Sequence, residues 1–418
     1  MSRTSSPFAL FRDRTVSPLF VSRVISSTSV GMGHIALAWG VMGMGYGARE
    51  LSLVVACNAF PALLILGGGV LGDRFRRHHV LICAELLACA AWLALGASFS
   101  MEKAPLALLC SLAGIGGVAT AIFLPTVRGI IADLLARAKR PVGNALINQT
   151  ESAGHLIGFV TSGAVVTLVG PAWAAGTRGA LCGISAVILT RLATHHPGRA
   201  TANPLRDLWT GWRAFRSRPW VWIITLHYTA ITTAMVVYMK IAGPLYTADG
   251  HGGAWAWGII GAAQPLGALA GALIGARWRP ARLLYITVLL PASVSLPMLL
   301  MGGGAHWQAI AVAAVVPGAL QATYYVFWTT ALQANIPSAV LVRVNSWNMV
   351  TSYVLMPVTV LFSGPLVANF GPQTIVSAAA LTALGATALT LLALRLLPSV
   401  RGGSTDVSTV RKTSSVLA

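Results

Sequence analysis

Only two of the ten acidic residues in this 418-residue chain, Glu85 and Glu151, fall inside long apolar runs. A carboxylate in hydrocarbon is costly unless it is paired, protonated or facing water, so both are functional candidates. Desolvation brings carboxylates towards the range where protons exchange at neutral pH, which is what proton-driven work in a membrane requires. His34 lies in mid-run and can titrate near the same range. Both glutamates sit two or three turns from the end of their runs. A structural ion pair or a water-filled vestibule is therefore the competing reading, with Arg128 a candidate partner for either. A second constellation lies between two apolar runs, where Gly69, Gly72, Asp73, Arg74, Arg76 and Arg77 put one carboxylate among guanidinium groups. Such a knot suits a latch made of charge pairs.

These residues need helices in a bilayer to hold them. The chain is 56% hydrophobic and 9% charged, against about 25% charged in soluble domains. Twelve spans of roughly the length a helix needs to cross a bilayer can be placed. The first six are 21–44, 51–71, 80–99, 106–125, 146–168 and 172–192. The second six are 221–239, 255–276, 283–301, 308–332, 347–370 and 374–397. The expected organisation is an all-α membrane protein: a cytoplasmic tail (1–20), a six-helix bundle (21–193), a cytoplasmic loop (194–218), a second bundle (219–397) and a cytoplasmic tail (398–418). The five cysteines, all inside spans, read as small buried hydrophobes.

The net charge of +19 would suggest nucleic acid in a soluble protein, but its distribution decides otherwise. Twenty-five of the 29 basic residues fall on one side of the alternating spans, and Arg49, Lys103, Arg178 and Lys240 fall on the other. Basic loops stay in the cytoplasm, which places both termini inside and the chain in the cell's cytoplasmic membrane. The halves also repeat. At a shift of 201, Asn144, Thr150, Ser162-Gly163, Val166 and Gly170-Pro171 meet Asn345, Thr351, Ser363-Gly364, Val367 and Gly371-Pro372. Near 203, Gly72 and Arg74 meet Gly275 and Arg277, with Ala276 in place of Asp73.

The order Gly69-x-Leu71-x-Asp73-Arg74-x-x-Arg77 after the second span resembles the loop between helices 2 and 3 of major facilitator superfamily transporters. Arg76 and His78 stand where that family has glycine and lysine. The resemblance implies two bundles related by a parallel repeat, a substrate site between them near the midplane, and alternating access. It also makes Asp73 and its arginines a gate that holds the cytoplasmic side shut. On the fifth span, Gly154-x-x-x-Gly158-Phe159-x-x-Ser162-Gly163 is similar to the family's antiporter motif, with Phe159 in place of proline and Ser162 in place of glycine. Small residues at this spacing suit a close seam between the halves. Proton antiporters of the family often carry an arginine in helix 4, whereas 106–125 has no charge.

Pro125, Arg128, Asp133 and Asn144-Ala145-Leu146, with Ser346-Trp347, resemble the enterobactin-exporter and macrolide-efflux branch. The family's helices 1, 4, 7 and 10 line its cavity. Here they would offer His34, Trp39, His227, Tyr228, Gln321, Tyr324, Tyr325 and Trp328, a surface for amphipathic ligands. The expectation is proton-coupled export of an antibiotic, drug or siderophore by a monomer without a bound cofactor. The alternatives are an importer or exchanger of a metabolite, and a membrane enzyme or signalling protein. None of the four lysines sits in a phosphate-binding loop, which argues against transport driven by nucleotide hydrolysis.

Overall fold

A computed structural model describes residues 11, 13, 15–64, 75–192, 209, 212–213, 215–278 and 280–396, and every regular element among them is helical. The first half comprises α1 (Ser17–Gly43), α2 (Ala48–Ala59, continuing as a 3-10 turn at Phe60–Leu64), α3 (Arg77–Phe99), α4 (Leu106–Leu134), α5 (Arg140–Val169) and α6 (Pro171–Leu189). In the second half, α7 runs through Pro219–Val237, a π turn at Tyr238–Ala242 and Gly243–Ala248. It is followed by α8 (Gly253–Arg277), α9 (Leu283–Gly302, with a 3-10 turn at Leu290–Val294) and α10 (Trp307–Asn335). Next come α11 (Ser338–Tyr353, then Met356–Phe370) and α12 (Pro372–Leu396). Eleven of these are long and apolar enough to cross a membrane, and α2 runs to the edge of the described residues.

Successive helices alternate in direction. We call the face where α1 begins the near face and the opposite one the far face. Tyr46 on the α1–α2 turn donates to the Ala104 carbonyl at 2.9 Å, and Tyr246 at the end of α7 donates to that of Ala305 at 3.2 Å. Each bond ties two far-face turns within one half. The repeat seen in sequence is a repeat in geometry. Gly170 (φ 97°) and Gly371 (φ 79°) each end a helix in a conformation that suits glycine, and each is followed by a proline that starts the next.

In lipid, apolar surface gives helices little reason to associate, so close approach has to come from small residues. Gly267, Gly271 and Gly275 of α8 lie against Val315, Ala319 and Thr323 of α10. Between the halves, α5 packs on α8 and α2 on α11. A Cβ on Gly163 would lie 2.9 Å from the Ala254 carbonyl oxygen and 3.1 Å from the Gly258 Cα, while Gly364 touches Ser52 and Ala48. Arg49 donates to Asn369 across the same seam at 3.2 Å. All of these cross-contacts lie towards the far face.

Several expected boundaries move. α4 does not stop at Pro125 but continues to Leu134, so Arg128 and Asp133 are helical. α6 begins at Pro171, one residue before the expected start, and Arg178, which the charge count places with the far-side loops, lies inside the helix and is only 6% exposed. α7 reaches Ala248 and carries Lys240 within it. α11 breaks after Tyr353, where Pro357 lacks the N–H that the Tyr353 carbonyl would accept. The freed carbonyls of Thr351 and Ser352 accept from Thr229 and Thr232 of α7 at 3.2 and 3.0 Å, which makes the break tolerable in a membrane.

Candidate functional site

The charges cluster in the first half. Arg23, in the second turn of α1, is 4% exposed and its Nη2 lies 2.9 Å from Glu151 Oε2 on α5. Glu151 keeps 32% of its side chain exposed. Sequence offered Arg128 as its partner; the Arg128 side chain lies outside the described residues, and the bridge is made by Arg23. Glu85 on α3 is 3% exposed and accepts from Ser185 of α6 at 3.0 Å, with Ser26 and Cys182 also in hydrogen-bonding reach. Arg178 spreads its guanidinium over Trp92 at 3.6 Å and presses on Gly33, where no side chain competes for the space. It also feels the charge of Glu85.

Of the expected gate, Gly69, Gly72, Asp73 and Arg74 lie outside the described residues. Arg76 occupies the N-cap of α3 in extended conformation. Arg77 donates to Asp133 Oδ1 and to the Gly129 carbonyl, both at 2.9 Å, so its described partners sit on α4 of its own half.

The small-residue face of α5 is divided between two neighbours. Gly154 and Gly158 fit against Ser27, Thr28 and Gly31 of α1, and Ser162 donates to the Met32 carbonyl at 2.9 Å. Only Gly163 meets α8 across the halves. Sequence spacing showed that a face of small residues exists but not which helix it serves. Phe159, in the position the motif gives to proline, reaches Gly261 of α8 and stands 5.4 Å from the His34 ring.

The second half supplies aromatic rings. Tyr228 of α7 stacks on Tyr324 of α10 at 4.7 Å and 11°. Its hydroxyl lies 2.7 Å from that of Tyr325 and accepts from Gln321 Nε2 at 2.6 Å. Trp328 continues the stack at 6.5 Å and donates to Asn348, which in turn donates to Thr225. Tyr228, Tyr324 and Trp328 are nearly enclosed, whereas Tyr325 is 44% exposed and forms the open edge. Five expected cavity residues thus form one unit. His227 points away from it, buried 2.9 Å from Thr387 of α12. Trp39 packs half-buried on the core of α1, and His34 keeps part of its surface accessible in mid-span.

Sequence reasoning passed over Arg23, the third residue of the first expected span, and His155, which follows Glu151 by one helical turn and lies within electrostatic reach of the same cluster. The i, i+4 spacing of Glu151 and His155 was the available signal. Lys240 had been assigned to a loop.

Comparison with known proteins agrees with this architecture. The chain is 25% identical over 335 residues to the enterobactin exporter EntS of Citrobacter koseri, covering 78% of this chain and 79% of the relative. Its fold is similar to that of the nucleoside transporter NupG, with a TM-score of 0.71 at 11% identity, covering 90% of this chain and 98% of the other. It is also similar to a bacterial homolog of the human lysosomal transporter Spinster in an inward-facing, unoccupied conformation, with a TM-score of 0.69 at 14% identity, covering 92% of this chain and 97% of the other. The Major Facilitator Superfamily model matches residues 19–359, most of the chain, and the protein belongs to that family of membrane transporters.

Proposed function

We propose that the chain is a proton-coupled exporter of amphipathic small molecules, siderophores or antibiotics among them, working by alternating access. The observation that supports alternating access is where the halves meet: among the described residues, the seams of Gly163 on Gly258 and Gly364 on Ser52 both lie towards the far face. With the near face cytoplasmic, as the basic loops argue, a far-side seam of this kind would belong to the state that opens to the cytoplasm. The Tyr228–Tyr324–Tyr325 shelf then offers ring faces and hydroxyls to a mostly apolar ligand. The enterobactin exporter among the relatives supports export over uptake.

Protons would enter at Glu151. Of the two buried-span carboxylates it alone reaches solvent here, while Glu85 is sealed by Ser185 and its neighbours. Protonation of Glu151 would release Arg23, and that switch lies on the α1–α5 pair beside the seam. The energy source is then the proton gradient, and the working unit a monomer. The Asp73 loop would close the near face in the opposite state.

Expression in an efflux-deficient host should lower accumulation of a susceptible drug or siderophore, and a proton uncoupler should abolish the effect. Raised accumulation would instead identify an importer. Export that survives Glu151→Gln unchanged would remove the assigned proton site.

A further inference from the structure

Of the cations whose side chains are described, Arg23, Arg178 and Lys240 lie within the membrane spans away from their ends, and they are not treated alike. Arg23 has Glu151 at 2.9 Å. Arg178 has the face of Trp92 at 3.6 Å and senses Glu85. Lys240 makes no salt bridge to a carboxylate among the described residues, and the like charge of Arg178 lies within electrostatic reach of it. An unpaired ammonium inside a span is costly, and such groups mark the path of a substrate or ion.

Its backbone setting is equally particular. Lys240 sits at the centre of the π turn Tyr238–Ala242, and Gly243 N–H bonds the Tyr238 carbonyl five residues back. Pro244 removes the donor that the Lys240 carbonyl would have had in a regular helix. π turns inside helices concentrate at functional sites. This turn touches α1 and α2 of the other half. Three titratable groups on other helices lie within electrostatic reach of Lys240: His34 on α1, His155 on α5 and Arg178 on α6. His34, His155 and Lys240 all retain partial solvent exposure although they lie in mid-span, so they border space that a ligand can enter. Lys240 is eight residues from the end of α7, about 12 Å below the far face at 1.5 Å per residue, on the inner side of the closed seam.

We infer that the centre of the transporter takes an organic anion, whose acidic group is held by Lys240 between the two halves with His34 and His155 beside it. This deepens the exporter reading and rests on it. The same unpaired charge selects against lipophilic cations, so it narrows the substrates to carboxylates, sulfonates and similar acids on an apolar body. An anion at Lys240 would touch α1 and α7 together, giving the substrate a hold on both halves. Tyr228 stands twelve residues back, about 18 Å along α7. An elongated ligand could therefore put its acid on Lys240 and its rings on the shelf.

The test uses three probes with one aromatic body: 1-naphthoate, 1-naphthylmethylammonium and neutral 1-naphthamide. Each is bound to the full-length protein in phosphatidylcholine nanodiscs, which carry no anionic headgroup to compete. Naphthoate should bind at least tenfold more tightly than the ammonium probe in the unaltered protein. Lys240→Gln should lower naphthoate affinity about tenfold and leave naphthamide unchanged, with Lys240→Arg restoring most of the loss. Equal affinity for the acid and the ammonium, or naphthoate binding unmoved by Lys240→Gln, would overturn the assignment. The comparison of probes on the unaltered protein stands even if the variant misfolds. Uptake of naphthamide into proteoliposomes reads transport independently. Carriage of the neutral probe without charge preference would sink the anion site alone, and absence of carriage for all three would sink the transporter reading with it.

Discussion

The two halves share a backbone plan and differ in what they bury. The first encloses ions: Arg23 with Glu151, and Glu85 near Arg178, on α1, α3, α5 and α6. The second encloses mainly rings, with Tyr228, Tyr324 and Trp328 stacked, Trp220 edge-on to Trp328 and Trp257 edge-on to Tyr238, and it carries Lys240 as a mid-span cation. Even equivalent helix pairs are joined differently. α1 meets α5 through Gly31, Gly154 and Gly158, whereas α7 meets α11 through threonine hydroxyls on carbonyls freed by a helix break. The shared parts, the Gly-Pro corners and the seam glycines, are those that the proposed rocking motion would use. The parts that differ are those assigned above to proton and ligand. On that reading the repeat keeps the hinge while each half carries a separate chemistry.

The largest effects should come from the shared seam. Gly163 meets backbone atoms of α8, and Gly364 meets the Ala48 carbonyl oxygen, none of which can turn aside as a side chain can. Gly163→Val should cost about 1–3 kcal/mol of overpacking in the far-closed state. That is enough to shift its population ten- to a hundredfold, and transport should fall accordingly. Gly364→Val should do the same from the other half. Spin labels at Met101 and Gly303, on far-face turns of opposite halves, should move apart in both variants. Gly385→Val, at a glycine with open space, should leave the distance and the transport rate alone. If only one seam glycine matters, the halves are not equivalent at the hinge.

A smaller effect tests the ionic half. Glu151→Leu leaves Arg23 buried with its Nε already lacking a partner. Removing one partner of a buried pair costs about 3–5 kcal/mol, and the partial exposure of Glu151 should reduce this to about 1–3 kcal/mol. The melting temperature in detergent should drop, and Arg23→Met combined with Glu151→Leu should recover most of it. Recovery of stability without recovery of transport would separate the pair's structural role from proton handling. Failure to recover would mean that another group holds Arg23 in place.

How much of this was legible beforehand follows from what spacing can and cannot carry. Ser162-Gly163 and Ser363-Gly364 stood out as a repeat, and the structure puts both glycines at inter-half seams. The five residues of the aromatic shelf were legible only through the family resemblance, which names helices 7 and 10 as lining the cavity. Lys240 was not, because apolar runs are most simply drawn to stop at a charge, and Arg178 falls within the sixth expected span yet was counted with the loops of the far side. Nothing local reveals that Gly33 opens room for a guanidinium, or that Trp92 lies beneath it. Gly154 and Gly158 were legible as a packing face, but their neighbour, α1, is chosen by the tertiary fold. The Asp73 knot was the plainest motif in the sequence, and its central residues lie outside the described structure.

The finest test addresses the aromatic half through one hydroxyl. Tyr228→Phe keeps the ring stacked on Tyr324 but removes the oxygen that meets Tyr325 at 2.7 Å and accepts from Gln321 at 2.6 Å. Gln321 Oε1 already lacks a partner, so the change leaves that amide with neither end bonded to the shelf. A net hydrogen bond is worth about 0.5–1.5 kcal/mol, and water reaching the exposed edge at Tyr325 should offset part of the loss. Stability should therefore fall by no more than about 1 kcal/mol. Tyr325, having lost this hydrogen bond, should sample more rotamers, and a neutral aromatic ligand should bind roughly three- to tenfold more weakly as that ordering is moved to the binding step. Tyr325→Phe should reproduce the weaker binding, because it breaks the same tether from the other ring. Weakening by Tyr228→Phe but not by Tyr325→Phe would mean that the ligand itself bonds the Tyr228 hydroxyl. The shelf would then be a polar recognition element, and the contrast between an ionic half and an apolar aromatic one would have to be redrawn.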